Sequence, residues 1–185
     1  MTSKDQANVI AVVGISGCGK STLLRDINQR IDISTVSASK LIRGAAFRDE
    51  DSRSGSERAR LSDTADMQHV LINAMEEYRA SVAGPILLDA HVLIDKDNCV
   101  DLIEPEVFAG LGVSGIVHLV VPPELLAERR RTDTKRDRPE RSVAELETQQ
   151  NTSRRHARRI AETIRVSYTE VSGTEDDIAE RIVPV

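Results

Sequence analysis

Val9–Leu24 reads VIAVVGISGCGKSTLL, and this stretch decides the fold. Val9 to Val13 is an unbroken apolar run, which predicts a strand buried on both faces. Leu23, Leu24, Ile27 and Ile31 then recur at helical spacing from Lys20 onward. Between strand and helix stand Gly14, Gly19, Lys20 and Ser21 in the order G-x-x-x-x-G-K-[ST], the setting in which this pattern cradles phosphate. Gly14, Gly17 and Gly19 permit close backbone approach, so that N–H groups along Gly14, Ser16, Gly17, Cys18, Gly19, Lys20, Ser21 and Thr22 can face one anion. The start of the helix adds partial positive charge. Lys20 is expected on the β- and γ-phosphates of a nucleotide and Ser21 on Mg²⁺. The bland alternative is a glycine-rich turn that merely closes a strand–helix unit. Cys18 lies among the loop's N–H donors, where an oxidised or alkylated thiol is expected to block nucleotide binding.

Reading outward, Ile33–Val36 predicts a second strand and Ser37–Phe47 a short helix. Met67, Val70, Leu71, Ala74, Met75, Tyr78 and Val82 keep i, i+3, i+4 and i+7 spacing, which predicts a helix over Asp63–Val82, stopped by Gly84 and Pro85. PILLDAH gives a third strand ending at Asp89, and residues 92–112 read as loop or short helix. Gly115–Val121 is a fourth strand, and the helix after it has Pro122 and Pro123 in its first turn. Ser142 and Glu145 have capping-box spacing for a helix to about Arg165. Arg165–Val171 predicts a fifth strand, with a final short helix capped at Thr174. Strands alternating with helices predict an α/β fold with a five-stranded parallel sheet and right-handed crossovers. No repeat or linker divides residues 1–185, so one domain is expected, with weakly structured stretches at 48–61, 94–105 and 132–141.

Composition narrows the function. No apolar run approaches the roughly 20 residues that span a bilayer, and the N-terminus lacks the apolar core of a signal peptide, so a cytoplasmic protein without a membrane partner is expected. A formal charge of −5 argues against a general nucleic-acid binder. Cys18 and Cys99 have no metal-ligand spacing and imply no disulfide framework. The arginines nevertheless crowd into ERRRTDTKRDRPER (Glu128–Arg141) and RRHARR (Arg154–Arg159), which predicts a local anion site inside an acidic protein.

Asp89 at the end of ILLD faces the crevice in which open α/β sheets bind ligands, where it could hold Mg²⁺ or orient an acceptor; a cap or turn residue is the alternative. His91 reads equally as a site residue or as a surface histidine. The sequence has no N-K-x-D for reading guanine and no second acid after Asp89, which favours a kinase over a switch or motor. Movable arginines would screen the charge of two meeting phosphates, and Arg136, Arg138 and Arg154 are the candidates; a solvated face is the alternative for each. VSASKLIR after the second strand supplies hydroxyls and Arg43 but no acid, which leans toward a phosphate acceptor that needs no base, although Asp89 could serve as one.

VSASKLIR, ILLDAH and PPELLAERRRTDTKRDRPERS together resemble the nucleoside monophosphate kinases, most closely the archaeal-type adenylate kinases. Asp89 to His91 stands where that family has D-T-H, with Ala90 replacing threonine, and Ser153 with Arg154 falls on the family's N-R. Arg129, Arg130, Asp133, Arg136 and Arg138 match its short arginine lid. The resemblance implies the three-layer P-loop kinase fold with strand order 2-3-1-4-5, ATP and Mg²⁺ at Gly14–Thr22 with Arg130, and catalysis by Lys20, Arg136 and Arg138. It also implies an acceptor region over 38–82, with the acceptor nucleotide beside Ser39, Arg43, Gln68, Asp89, His91 and Arg154. The expected activity is phosphoryl transfer from ATP to a nucleoside monophosphate. The rivals are a kinase for another small or nucleic-acid acceptor, and a nucleotide-binding regulatory ATPase.

Overall fold

The computed structural model describes residues 7–49, 64–96, 99–133 and 139–172. Arg136, Arg138, the middle of the expected lid, most of the expected 48–61 connector and the expected helix at Thr174 lie outside the described residues.

Strand β1 (Val9–Val13) runs into helix α1 (Lys20–Arg30), and β2 (Ser34–Ser37) into α2 (Ala38–Asp49). Helix α3 (Thr64–Ser81) precedes β3 (Ile86–Asp89). Two short strands, β4 (Leu93–Asp95) and β5 (Val100–Leu102), and helix α4 (Pro105–Gly110) lead to β6 (Val113–Val120). Helices α5 (Pro123–Thr132) and α6 (Val143–Ile164) precede the last strand, β7 (Ser167–Ser172). The main sheet has the order β2-β3-β1-β6-β7 and every neighbouring pair is parallel. Across the sheet this is the expected order 2-3-1-4-5; β4 and β5 stand apart as an antiparallel pair inserted between its third and fourth strands.

Within 92–112 the short helix expected there is found at Pro105–Gly110, but strands replace loop at Leu93–Asp95 and Val100–Leu102, and 94–105 differs from the expectation of weak structure. Leu93 pairs with Leu102 and Asp95 with Val100, and Pro105 then opens α4. Each strand is three residues long, too short for an alternation of apolar and polar residues to register as a period.

Alternation along the central strands explains the three layers. Val9, Ala11 and Val13 enter one core with Met75 of α3, Phe108 of α4 and Ile160 of α6. Val12 enters the other with Leu23, Leu24 and Ile27 of α1 and Leu126 of α5. Ile86 and Leu88 of β3 join the first core and Leu87 the second, so the apolar runs read from sequence are apolar because helices cover both faces.

Polar groups fasten the long helix to this sheet. The capping box closes as expected: Glu145 N–H donates to Ser142 Oγ at 3.3 Å, and Ser142 N–H to Glu145 Oε2 at 2.8 Å. Further along α6, the Gln150 amide donates to the Val121 carbonyl at 2.9 Å and accepts the Val121 N–H at 3.0 Å. Ser153 Oγ lies 2.8 Å from His118 Nε2 on β6, and both residues are fully buried.

Burial drives the His118 imidazole down from 6.5 to about 4; Glu170 opposes this, while Lys20 and Arg154 add to it. The unfolded chain takes up this proton near pH 6.5 and the native protein only near pH 4, so the unfolded state binds more protons between them. The stability due to the neutral ring is present in full above pH 6.5 and declines as pH falls toward about 4. The total loss is on the order of 3 kcal/mol. Urea unfolding at about pH 8 and about pH 4.5 should show a larger acid loss for the native sequence than for His118→Gln, and equal losses would contradict this assignment.

Candidate active site

Three glycines with positive φ shape the loop between β1 and α1: Gly14 at 150°, Gly17 at 93° and Gly19 at 100°. At Gly14 a Cβ would lie 2.9 Å from the Leu119 carbonyl oxygen, so the chain can leave β1 against β6 only without a side chain. At Gly17 a Cβ would meet Arg130 Cγ at 3.1 Å and Leu126 Cδ1 at 3.3 Å. Helix α5 is thus packed directly against the loop.

Lys20 is buried, and its Nζ donates to the Gly14 carbonyl at 2.7 Å and reaches that of Ile15 at 3.4 Å. The ammonium is held at the centre of the loop by the loop's own carbonyls. Ser21 and Thr22 are exposed in the first turn of α1. Ser21 Oγ donates to Asp89 Oδ2 at 2.8 Å across 68 residues of sequence. The register of β1 against β3 brings them together, because Val12 is paired with Asp89. The other carboxylate oxygen, Asp89 Oδ1, is buried and accepts no hydrogen bond among the described residues. A hydroxyl beside a carboxylate oxygen that lacks a partner is the hard-oxygen set that a divalent magnesium ion takes. These two residues fit Mg²⁺.

The Cys18 thiol is turned away from the loop's surface. Its side chain is 2% exposed within the core on the α1 side of the sheet, with Sγ 3.8 Å from Lys20 Nζ. Its N–H donates back to the Ile15 carbonyl at 3.3 Å. The tight turn after Ile15 rolls the thiol inward, so it faces the core instead of standing among phosphate-facing donors.

The acceptor-side candidates Ser39 and Arg43 follow β2, the neighbour of β3 in the sheet. Ser37 is paired with Asp89 in the β2–β3 register, and Ser37 Oγ accepts the Lys40 N–H at 3.2 Å at the start of α2. Ser39 Oγ lies 3.4 Å from Ser37 Oγ, and Ser39 and Arg43 are exposed on α2. Gln68 is half-buried on α3, and His91 is exposed two residues beyond Asp89. Arg154 is placed elsewhere. It donates to Glu170 of β7 at 2.6 and 3.1 Å, on the edge of the sheet opposite β2. This ion pair, shared with Arg158, holds the Glu170 carboxyl below its ordinary range, so the guanidinium serves a carboxylate instead of opening toward Ser39 and Arg43.

Sequence reasoning missed how the loop is held from behind. Arg129 donates to the Cys18 carbonyl at 3.1 Å, and Arg130 Nε donates to the Ser16 carbonyl at 2.9 Å. Arg130 also pairs with Asp95 of β4 at 3.3 Å, and Arg141 with the other oxygen of Asp95 at 3.1 Å. Adjacent arginines at the end of a helix were a visible signal; the carboxylate on a three-residue strand was not.

A model of the AAA domain matches residues 13–147, nearly three quarters of the chain. The chain belongs to that family. No curated protein matches it in sequence. Among solved structures it is similar to the tunicamycin resistance protein of Deinococcus radiodurans, with a TM-score of 0.61 and 18% identity over 95% of this chain and 93% of that one. It is similar also to the shikimate kinase of Bacteroides thetaiotaomicron, with a TM-score of 0.55 and 17% identity over 95% and 96%. A third likeness is to a sugar kinase from Janibacter, at 0.50 and 15% over 95% and 92%. At such identities the likeness concerns the fold, which is that of the P-loop kinases. Among the described residues no helix is long and apolar enough to cross a membrane.

The burial of Cys18 gives a direct test, because Cys99 is exposed. A thiol reagent added to the native protein should label Cys99 quickly and Cys18 on the order of a thousandfold more slowly, at the rate of local opening. Fast labelling of a Cys99→Ser variant would overturn the placement of Cys18.

Proposed function

We propose that this member of the AAA domain family is a cytoplasmic phosphotransferase that moves the terminal phosphoryl group of ATP to a small-molecule acceptor, with a nucleoside monophosphate as the first acceptor. The observation that carries this reading is the Ser21–Asp89 hydrogen bond at 2.8 Å with the second Asp89 oxygen buried and unpartnered among the described residues. Ser21 and Asp89 would hold Mg²⁺, which supplies charge neutralisation between donor and transferring phosphates. Lys20, lodged at the loop centre, supplies a fixed positive charge, and Gly14 to Thr22 bind the phosphates through their backbone N–H groups. Arg130, held on the back of the loop, is proposed to serve the nucleotide by fixing the loop's shape.

The nucleotide acceptor is supported by the arginine content of the segment that follows α5 and by the hydroxyls and Arg43 that follow β2, beside the strand that ends in Asp89; Ser39, Arg43, Gln68 and His91 are proposed to bind it. Arg136 and Arg138 are proposed as the charges that face the transferring group. For a phosphate acceptor the chain needs positive charge and positioning, and no base. A second reading, a hydroxyl acceptor, is favoured by one specific observation: the unpartnered Asp89 oxygen could take a proton. The names of two structural relatives, a shikimate kinase and a sugar kinase, point the same way.

Incubation of the protein with MgATP and a panel of nucleoside monophosphates, sugars and hydroxy acids, with products read by phosphorus NMR, separates these readings. Monophosphate-dependent formation of a nucleoside diphosphate is expected; turnover with a hydroxyl compound alone would replace the first reading by the second, and no turnover with any acceptor would sink both. Asp89→Asn should lower kcat by about 10²-fold or more. If Asp89 acts through the metal, part of that loss returns at high Mg²⁺ concentration.

A further inference from the structure

We propose that Asp95, on the hairpin strand β4, is a positioning residue for the phosphate-binding loop, acting through Arg130. The inference deepens the proposed function and rests on it for its catalytic meaning, since the loop it shapes is the one assigned there to ATP.

The Asp95 side chain is 8% exposed and receives two guanidinium groups, Arg130 at 3.3 Å and Arg141 at 3.1 Å, whose own side chains are 8% and 17% exposed. Arg141 donates in addition to the Lys96 carbonyl at 2.8 Å, which ties the start of α6 to the same strand. Lys96 is paired in turn with Asp101 across the hairpin. The carboxylate is therefore fixed from both sides, and it fixes the direction from which Arg130 approaches the loop.

What Arg130 does there follows from peptide geometry. Its Nε takes the Ser16 carbonyl at 2.9 Å. In a planar trans peptide the carbonyl and the next N–H point in opposite directions, so the Gly17 N–H is turned away from α5. The same holds two residues on, where Arg129 takes the Cys18 carbonyl and turns the Gly19 N–H away. Alternate carbonyls are thus held on the helix side of the loop and alternate N–H donors on the opposite side, the arrangement that a concave anion site requires. Gly17 at φ 93° is the pivot that a free loop could flip.

Asp95 differs from a mere structural anchor in what its loss would do. Without the carboxylate, the Arg130 guanidinium loses the contact that sets its direction of approach, and its hold on the Ser16 carbonyl loosens. The effect is felt at Ser16–Gly19, more than 75 residues earlier in the sequence.

The test is amide hydrogen exchange on the nucleotide-free protein, followed by titration with MgADP. Asp95→Asn should speed exchange at Gly17, Cys18 and Gly19 by about tenfold or more and weaken MgADP by a similar factor, while amides of β1 and β3 exchange as before. Asp95→Glu should restore part of both. The double variant Asp95→Asn with Arg130→Met removes the carboxylate and the guanidinium it positions; its thermal midpoint should recover in part, because the Arg141 contact stays lost, while its loop amides stay fast. Loop exchange unchanged in Asp95→Asn, or slow loop amides in the double variant, would overturn the proposal. Fast loop amides beside MgADP affinity equal to that of the native protein would leave the positioning standing and count against the nucleotide reading of the loop.

Discussion

The site depends on the parallel pairing of β1 with β3. That pairing sets Val12 beside Asp89, and with it the end of one strand that opens into the glycine-rich loop beside the end of another that terminates in a carboxylate. The strands are pinned by burial on both faces, so a slip of one residue would exchange Val9, Ala11 and Val13 for Ile10 and Val12 between two cores of different shape. The Ser21–Asp89 hydrogen bond is a consequence of that register. A polar contact between residues far apart in the chain is dependable here because apolar packing, and not the polar pair itself, fixes the separation.

A second constraint acts from behind the loop. A chain of carbonyls and N–H groups with three glycines has several conformations of similar energy. Here Lys20 occupies the Gly14 carbonyl, Arg130 that of Ser16 and Arg129 that of Cys18. Three cations therefore take three of the acceptors on this loop. This leaves the donors for an anion and lowers the conformational entropy lost when one binds. It also accounts for a basic cluster inside a protein of net charge −5: two of these arginines act on backbone and carboxylate in the protein before any ligand arrives.

How much of this was legible in the sequence varies with the range of the interaction. The loop, the strands and long helices and the capping box at Ser142 rest on local periodicity or on a motif whose residues are neighbours, and these emerge as read, while the order across the sheet came with the family resemblance. Asp89 was legible because it ends an apolar run. The hairpin 93–102 was not, since three-residue strands carry no period and its meaning lies in Asp95 meeting Arg130 and Arg141, 35 and 46 residues away. The burial of the Cys18 thiol was not legible for a related reason: a position within a motif says where the backbone runs, while the direction of the side chain depends on the turn that Ile15 and Cys18 close. Arg154 was read from charge density and from the family's N-R, and its partner Glu170 lies on the next strand, beyond any local pattern.

The buried polar groups under the sheet connect these levels. Gln150 grips the Val121 backbone at the point where β6 gives way to α5, and Ser153 grips His118 one turn further along the same helix. Both contacts register α6 against β6, the strand that flanks β1 on the side away from β3. Helix α5, which carries Arg129 and Arg130, begins two residues after Val121. Its placement over the loop thus inherits the fixed end of β6. An amide that satisfies both backbone groups of one residue leaves no alternative register of equal energy, because any slip would strand a buried donor and a buried acceptor together. The polar interior of this molecule therefore contributes specificity of placement, and the loop at its edge receives its arginines at the right height because a glutamine on the far helix has only one residue it can hold.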